Sequence, residues 1–193
     1  GIDYFGNWKA LHYKAKKAFE NVLISSYEKD GILKVYLVND TFSEIKNNLI
    51  INHLDFFGNV LSVNSIPVIS HSNSSAIVYE FPINKLEFPL KNSVLKLNFG
   101  EAEFLHYFVK PKNLMLQQGE ITTEIIQNET GFSVVLRSET LQKDVFLANN
   151  SKGKWEDNFF DLLPNKSKTV RFFTENKNPP IISIKTLNQL ILK

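Results

Sequence analysis

One change of hydrophobic period organises this chain. Residues 7–20, NWKALHYKAKKAFE, place Trp8, Leu11, Ala15, Ala18 and Phe19 at helical spacing, with Lys9, Lys16 and Lys17 on the wetter side. Asn7 can cap that helix, because its side-chain oxygen can accept from an early backbone N–H. From Val22 onward the period is 2, as in Leu33, Val35 and Leu37 set against Lys34, Tyr36 and Val38. A helix of about fourteen residues is marginal alone in water and needs a surface. The expectation is that its stripe folds onto the first β unit or onto a neighbouring copy.

The period-2 segments are short and separated by turn chemistry. Strands are expected over 22–27, 32–38, 45–56, 60–63, 76–81, 94–99 and 105–109, with Lys29-Asp30-Gly31, Asn39-Asp40 and Gly58-Asn59 between them. After Lys110-Pro111-Lys112 the pattern resumes over 122–127, 132–137, 145–148, 159–163, 169–173 and 181–186. Its turns are Glu129-Thr130-Gly131 and Pro164-Asn165-Lys166, and 149–154 reads as a polar loop. Pro111 interrupts a ladder, and the lysines beside it favour water. Charge changes at the same place. Residues 21–109 carry six basic and nine acidic side chains, whereas 110–193 carry twelve and nine. The expected fold is all-β: two tandem immunoglobulin-like β-sandwiches, 21–109 and 110–193, preceded by one short α-helix within 1–20.

Composition excludes several functions. Zero Cys removes a disulfide framework, thiol catalysis and Cys-bound zinc. A net charge of +2 is no concentrated basic field, so no nucleic-acid partner is expected. No apolar run is long enough for a membrane helix, so no membrane partner is expected. The single Met, at position 115, leads us to read the chain as a piece of something longer.

Catalytic signals are weak. There is no phosphate-cradling Gly-rich turn and no nucleophile elbow. His12, His53, His71 and His106 have no ligand partner at i+3 or i+4, so no metal or other cofactor is expected. Glu101 and Glu103 share a face in an extended stretch, about 7 Å apart, and read as a solvated acidic edge. Trp155, in SKGKWEDN beside Glu156 and Asp157, reads either as an exposed platform for a sugar ring or as a ring folded back over the sandwich edge. Sequons at Asn39, Asn73, Asn128, Asn149 and Asn165 are about what an Asn-rich chain produces by chance.

Residues 3–24, DYFGNWKALHYKAKKAFENVLI, resemble the end of the catalytic barrel and its last helix in β-mannosidases of glycoside hydrolase family two. Residues 157–174, DNFFDLLPNKSKTVRFFT, resemble the strand–proline turn–strand that closes the last sandwich of those enzymes, with Asn165 where glycine is expected. Asn tolerates a positive φ, so the turn stands.

The resemblance implies a non-catalytic C-terminal accessory region, with 1–20 the remnant helix of a barrel that cleaves β-mannosides with retention. The catalytic glutamates would precede residue 1, so none is assigned here. The implied partners are the parent's own barrel and a β-mannoside or mannan oligosaccharide. Tyr4 and Trp8, just past the last barrel strand, are the substrate-contact candidates, with Trp155 the third. The rival readings are an independent carbohydrate-binding module and the accessory region of a β-galactosidase- or β-glucuronidase-type enzyme. A bacterial periplasmic or extracellular location is expected for the parent.

Overall fold

A computed structural model describes residues 8–191. Tyr4 therefore lies outside the described residues. The chain forms two compact units, one of residues 17–55 and 59–115, the other of 8–16, 56–58 and 116–191.

In chain order the first elements are α1 (Ala10–Ala18), β1 (Val22–Lys29), β2 (Ile32–Asn39), β3 (Ile45–Asp55), β4 (Val60–Ser70), β5 (Ser74–Pro82), β6 (Ser93–Phe99) and β7 (Ala102–His106). The strands make two antiparallel sheets, β1-β2-β5 and β4-β3-β6-β7. Period-2 burial is clearest in β2, where Leu33, Val35 and Leu37 are sealed and Lys34 pairs with Glu80 across the strand at 2.8 Å. Leu49, Ile51, Leu95, Leu97 and Phe99 of the second sheet complete this core with Ile24 of β1.

β4 runs to Ser70 rather than stopping at Val63. Pro67 lies on this edge strand, where a missing N–H breaks no ladder toward a further neighbour. β7 lies earlier than expected, over 102–106, because Gly100 (φ +58) turns the chain directly after β6.

The second set is β8 (Thr122–Asn128), β9 (Gly131–Arg137), β10 (Gln142–Asn149), β11 (Lys154–Trp155), β12 (Phe160–Leu162), β13 (Lys168–Phe173), β14 (Ile182–Lys185) and a short α2 (Asn188–Ile191). Sheets β11-β13-β9-β8 and β12-β10-β14 enclose Phe132, Val134, Leu136, Val145, Leu147, Phe160, Leu162, Val170 and Phe172. Asn165 does take the left-handed conformation, at φ +57.

The helix departs from its expected packing in two ways. α1 belongs with this second sandwich rather than with the first, and its buried residue is Tyr13. Leu11 and Phe19 of the expected stripe are 73% and 86% exposed. The reason is a face of large aromatic surface. Tyr13 and Trp8 offer more apolar area to the second core than Leu11 and Ala15 do, and a phenol can reach a backbone acceptor at the rim.

Candidate functional site

The aromatic candidates converge on one end of the second sandwich. Gly153 lets β11 lie flat on β13: a Cβ there would stand 2.4 Å from the Phe172 ring and 2.6 Å from the Phe173 carbonyl oxygen. That approach swings Trp155 inward. It is 5% exposed, packs against Phe172 at 4.7 Å between ring centroids, and donates its indole N–H to Asn149 Oδ1 at 2.9 Å. Trp155 is thus no exposed platform. The segment read as a polar loop next to a surface Trp turns its tryptophan into the core and satisfies it at the rim.

Trp8 is half-buried beside this rim. Lys154 Nζ lies 3.4 Å from the Trp8 ring centroid, a cation–π contact that occupies one ring face. His12, one turn along α1, has its ring centroid 3.7 Å from that of Trp8. Tyr13 stands edge-on to Trp8 at 5.5 Å and donates its phenol O–H to the Trp155 carbonyl at 3.5 Å. Burial, then the nearby Asp157 charge, pushes the Tyr13 phenol above its ordinary range.

These residues border a cleft of about 890 Å³. Its walls include Trp8, Phe146 and Phe159, the last two stacked at 4.8 Å, and the 149–154 loop. Phe159 holds φ +57, a conformation a bulky residue adopts only where its surroundings impose it. Asn158 supplies that constraint, since its Oδ1 accepts from Leu147 N–H at 2.8 Å and its Nδ2 donates to the Leu147 carbonyl at 2.9 Å. No sequence signal marked Phe146 and Phe159, which read as ordinary strand aromatics. The Asn158 clamp that aims Phe159 has no motif.

Among the described residues, the other candidates from the sequence come together in no catalytic arrangement. Glu103 is paired with Lys96 at 2.8 Å and Glu101 sits in the turn before β7. His53 and His106 are buried in the first sandwich, bonded to Ser93 and Ser26 hydroxyls at 2.8 and 2.9 Å. Among the described residues no group of three or more His, Cys, Asp or Glu side chains could hold a metal ion, and no helix is long and apolar enough to cross a membrane.

Comparison with known proteins addresses both units. Residues 31–113 match the Mannosidase Ig/CBM-like domain and residues 116–190 match an Ig-fold domain of mannosidases. β-Mannosidase A of Neosartorya fischeri is 27% identical over 201 residues, covering 92% of this chain and 22% of the relative. β-Mannosidase of Capra hircus is 26% identical, covering 89% and 21%. The chain thus spans about a fifth of the length of these curated relatives. The crystal structure of the β-D-mannosidase of Dictyoglomus thermophilum superposes with a TM-score of 0.79 at 20% identity, covering 96% of this chain and 24% of that one. An exo-chitosanase of Amycolatopsis orientalis gives 0.67 at 15%, covering 97% and 28%. Two separately matched immunoglobulin-like units in tandem, each of a type named for mannosidases, place the chain: it belongs to the immunoglobulin-like accessory domains of the family-two β-mannosidases.

Proposed function

We propose that this chain is the non-catalytic part of a retaining β-mannosidase and that its work is to brace a catalytic barrel lying outside residues 1–193. The observation that carries the reading is the helix. α1 is bound to the second sandwich through Tyr13 and the neighbouring Trp8, while Leu11 on the helix and Phe19 in the turn just after it remain open to solvent. A short helix with one face sealed in a sandwich and a second apolar strip uncovered suits a connector between two bodies. In this reading 1–20 is the barrel's last helix, and the two sandwiches, bounded near residue 110, follow it. The resemblance of residues 3–24 to that junction supports the order.

Trp8, with Tyr4 carried by the family resemblance alone, is the candidate edge at which the accessory region approaches a β-mannoside. Trp8 can meet it only with the ring face that Lys154 leaves open. Trp155, being buried, takes no part. Its burial removes Trp155, though not the strand aromatics, as the platform of a free-standing sugar-binding module.

The test compares the full-length parent with a form stopped after residue 115. Loss of the second sandwich is expected to lower the melting temperature of the catalytic domain, while kcat/KM for an aryl β-mannoside stays within a few-fold at low temperature. An unchanged melting temperature would reject the bracing role.

A further inference from the structure

The cleft beside Trp8 has a chemical bias that its aromatic walls do not reveal. Three lysines, Lys9, Lys152 and Lys154, line it, and no carboxylate does. The acids nearest the lining in sequence are Glu156 and Asp157, neither of them in its walls, and Asp157 is bound to Lys168 at 2.9 Å. The amides in the wall are already engaged. Asn149 Oδ1 takes the Trp155 indole N–H and its Nδ2 reaches the Ser151 carbonyl. Asn150 Oδ1 accepts from the Ile181 N–H at 3.0 Å and from the Ser151 hydroxyl at 3.3 Å. Asn158 is spent on Leu147.

What remains to a ligand is ammonium donors and aromatic surface, with few side-chain acceptors. Lysine has three donors and no acceptor. A neutral pyranoside presents hydroxyls that must donate as well as accept, and here their protons would find few partners, at the cost of unpaired polar groups. A carboxylate only accepts, and each charge-assisted contact to a lysine is stronger than a neutral one. The volume, about 890 Å³, lies within the span of about 300–1,000 Å³ usual for small-ligand sites.

We infer that this cleft binds a carboxylate-bearing sugar, a uronate unit of an oligosaccharide, with Lys154 as the principal contact. Lys154 rests on the Trp8 face when the cleft is empty and swings to the carboxylate when it fills, which bares the indole for the sugar ring. The charge preference rests on the cleft alone; the sugar body rests on the glycosidase reading above.

Tryptophan fluorescence of the whole chain reports this directly, since Trp155 is buried and Trp8 is the ring that loses its cation. The probes are a glucuronate-terminated oligosaccharide, a neutral manno-oligosaccharide of equal length, and sodium acetate. A saturable change is expected with the first alone. Lys154→Ala should weaken it about tenfold, the worth of one charge-assisted contact, and Lys152→Ala should weaken it less. Lys154 is exposed on a two-residue strand, so far-UV circular dichroism and the thermal unfolding midpoint should be unchanged in the variant. Equal binding of the neutral oligosaccharide would overturn the charge preference. Equal binding of acetate would overturn the sugar body and leave an adventitious anion only. No saturable change with any probe, or full affinity in Lys154→Ala, would overturn the site. None of these results bears on the melting temperature of the parent, so the bracing role stands or falls separately.

Discussion

The phenol of Tyr13 donates to the backbone carbonyl of Trp155, 142 positions further along the chain, at 3.5 Å. The opening helix and the rim of the second sandwich thereby share one core, with the whole first sandwich inserted between them in sequence. Removing only the hydroxyl, in Tyr13→Phe, should cost about 1 kcal/mol, the net worth of one hydrogen bond. Tyr13→Ala should cost about 3–5 kcal/mol, because a buried aromatic leaves a cavity. Urea denaturation followed by tryptophan emission measures both. The raised phenol also predicts late ionisation near 295 nm. Its folded pKa lies above the unfolded one, so the stability it contributes is complete below about pH 10 and is lost as pH rises through that range.

The first sandwich is predicted to be acid-labile. His106 is bonded to Ser26 through Nδ1, while its Nε2 is buried without a hydrogen-bond partner; His53 has its Nδ1 in the same position. Phe108 lies against both rings, at 5.0 and 5.8 Å between centroids, and Phe88 covers His53. Burial lowers both imidazoles, His106 to about 4. The sign follows: the folded state favours the neutral ring, so stability is full above the unfolded value near 6.5 and falls as pH drops from there to about 4. His106 alone accounts for about 3 kcal/mol over that window. Urea midpoints at pH 7.5, 5.5 and 4.5 should fall in that order, and His106→Gln should flatten the profile.

Asn188 should be among the most sensitive polar positions. It is 1% exposed, donates to the Gln117 and Leu141 carbonyls at 2.7 Å each, and accepts from the Lys143 N–H at 2.9 Å. Truncation strands three backbone groups. Asn188→Ala is expected to destabilise the second sandwich by about 3 kcal/mol, and Asn188→Asp by a similar amount because a carboxylate cannot donate to the two carbonyls. Differential scanning calorimetry reads this as a lowered transition.

Gly131 opens β9 at φ +139, and a Cβ there would meet the Phe172 carbonyl oxygen at 2.2 Å. Both the backbone conformation and the contact penalise any side chain, so Gly131→Ala should cost more than about 2 kcal/mol. Gly31, also at positive φ (+74) but with open space around it, should pay only the conformational part, about 1 kcal/mol.

Period 2 was enough to read β2, β3, β6, β9 and β13, because each alternates a sealed core face with a wetter one. It failed for the far half of β4, where Asn64, Ser65 and Pro67 interrupt the apolar run although Ile66 and Val68 face the core, and for β11, two residues long and held by Gly153. The helix was legible as a helix, but not its orientation. Leu11 and Phe19 fit a helical stripe as well as Trp8 and Tyr13 do, and only the tertiary acceptor at Trp155 decides between them. Trp8 was singled out from the sequence, yet the Lys154 ammonium over its ring comes from 146 residues away and no local pattern announces it.

The central claim is that this region supports catalysis without performing it. The direct measurement is hydrolysis of an aryl β-mannoside by the purified 193-residue chain. The account predicts a rate equal to that of buffer at any concentration of the chain. Turnover that scales with the chain and is abolished by substituting one of its own carboxylates would contradict it.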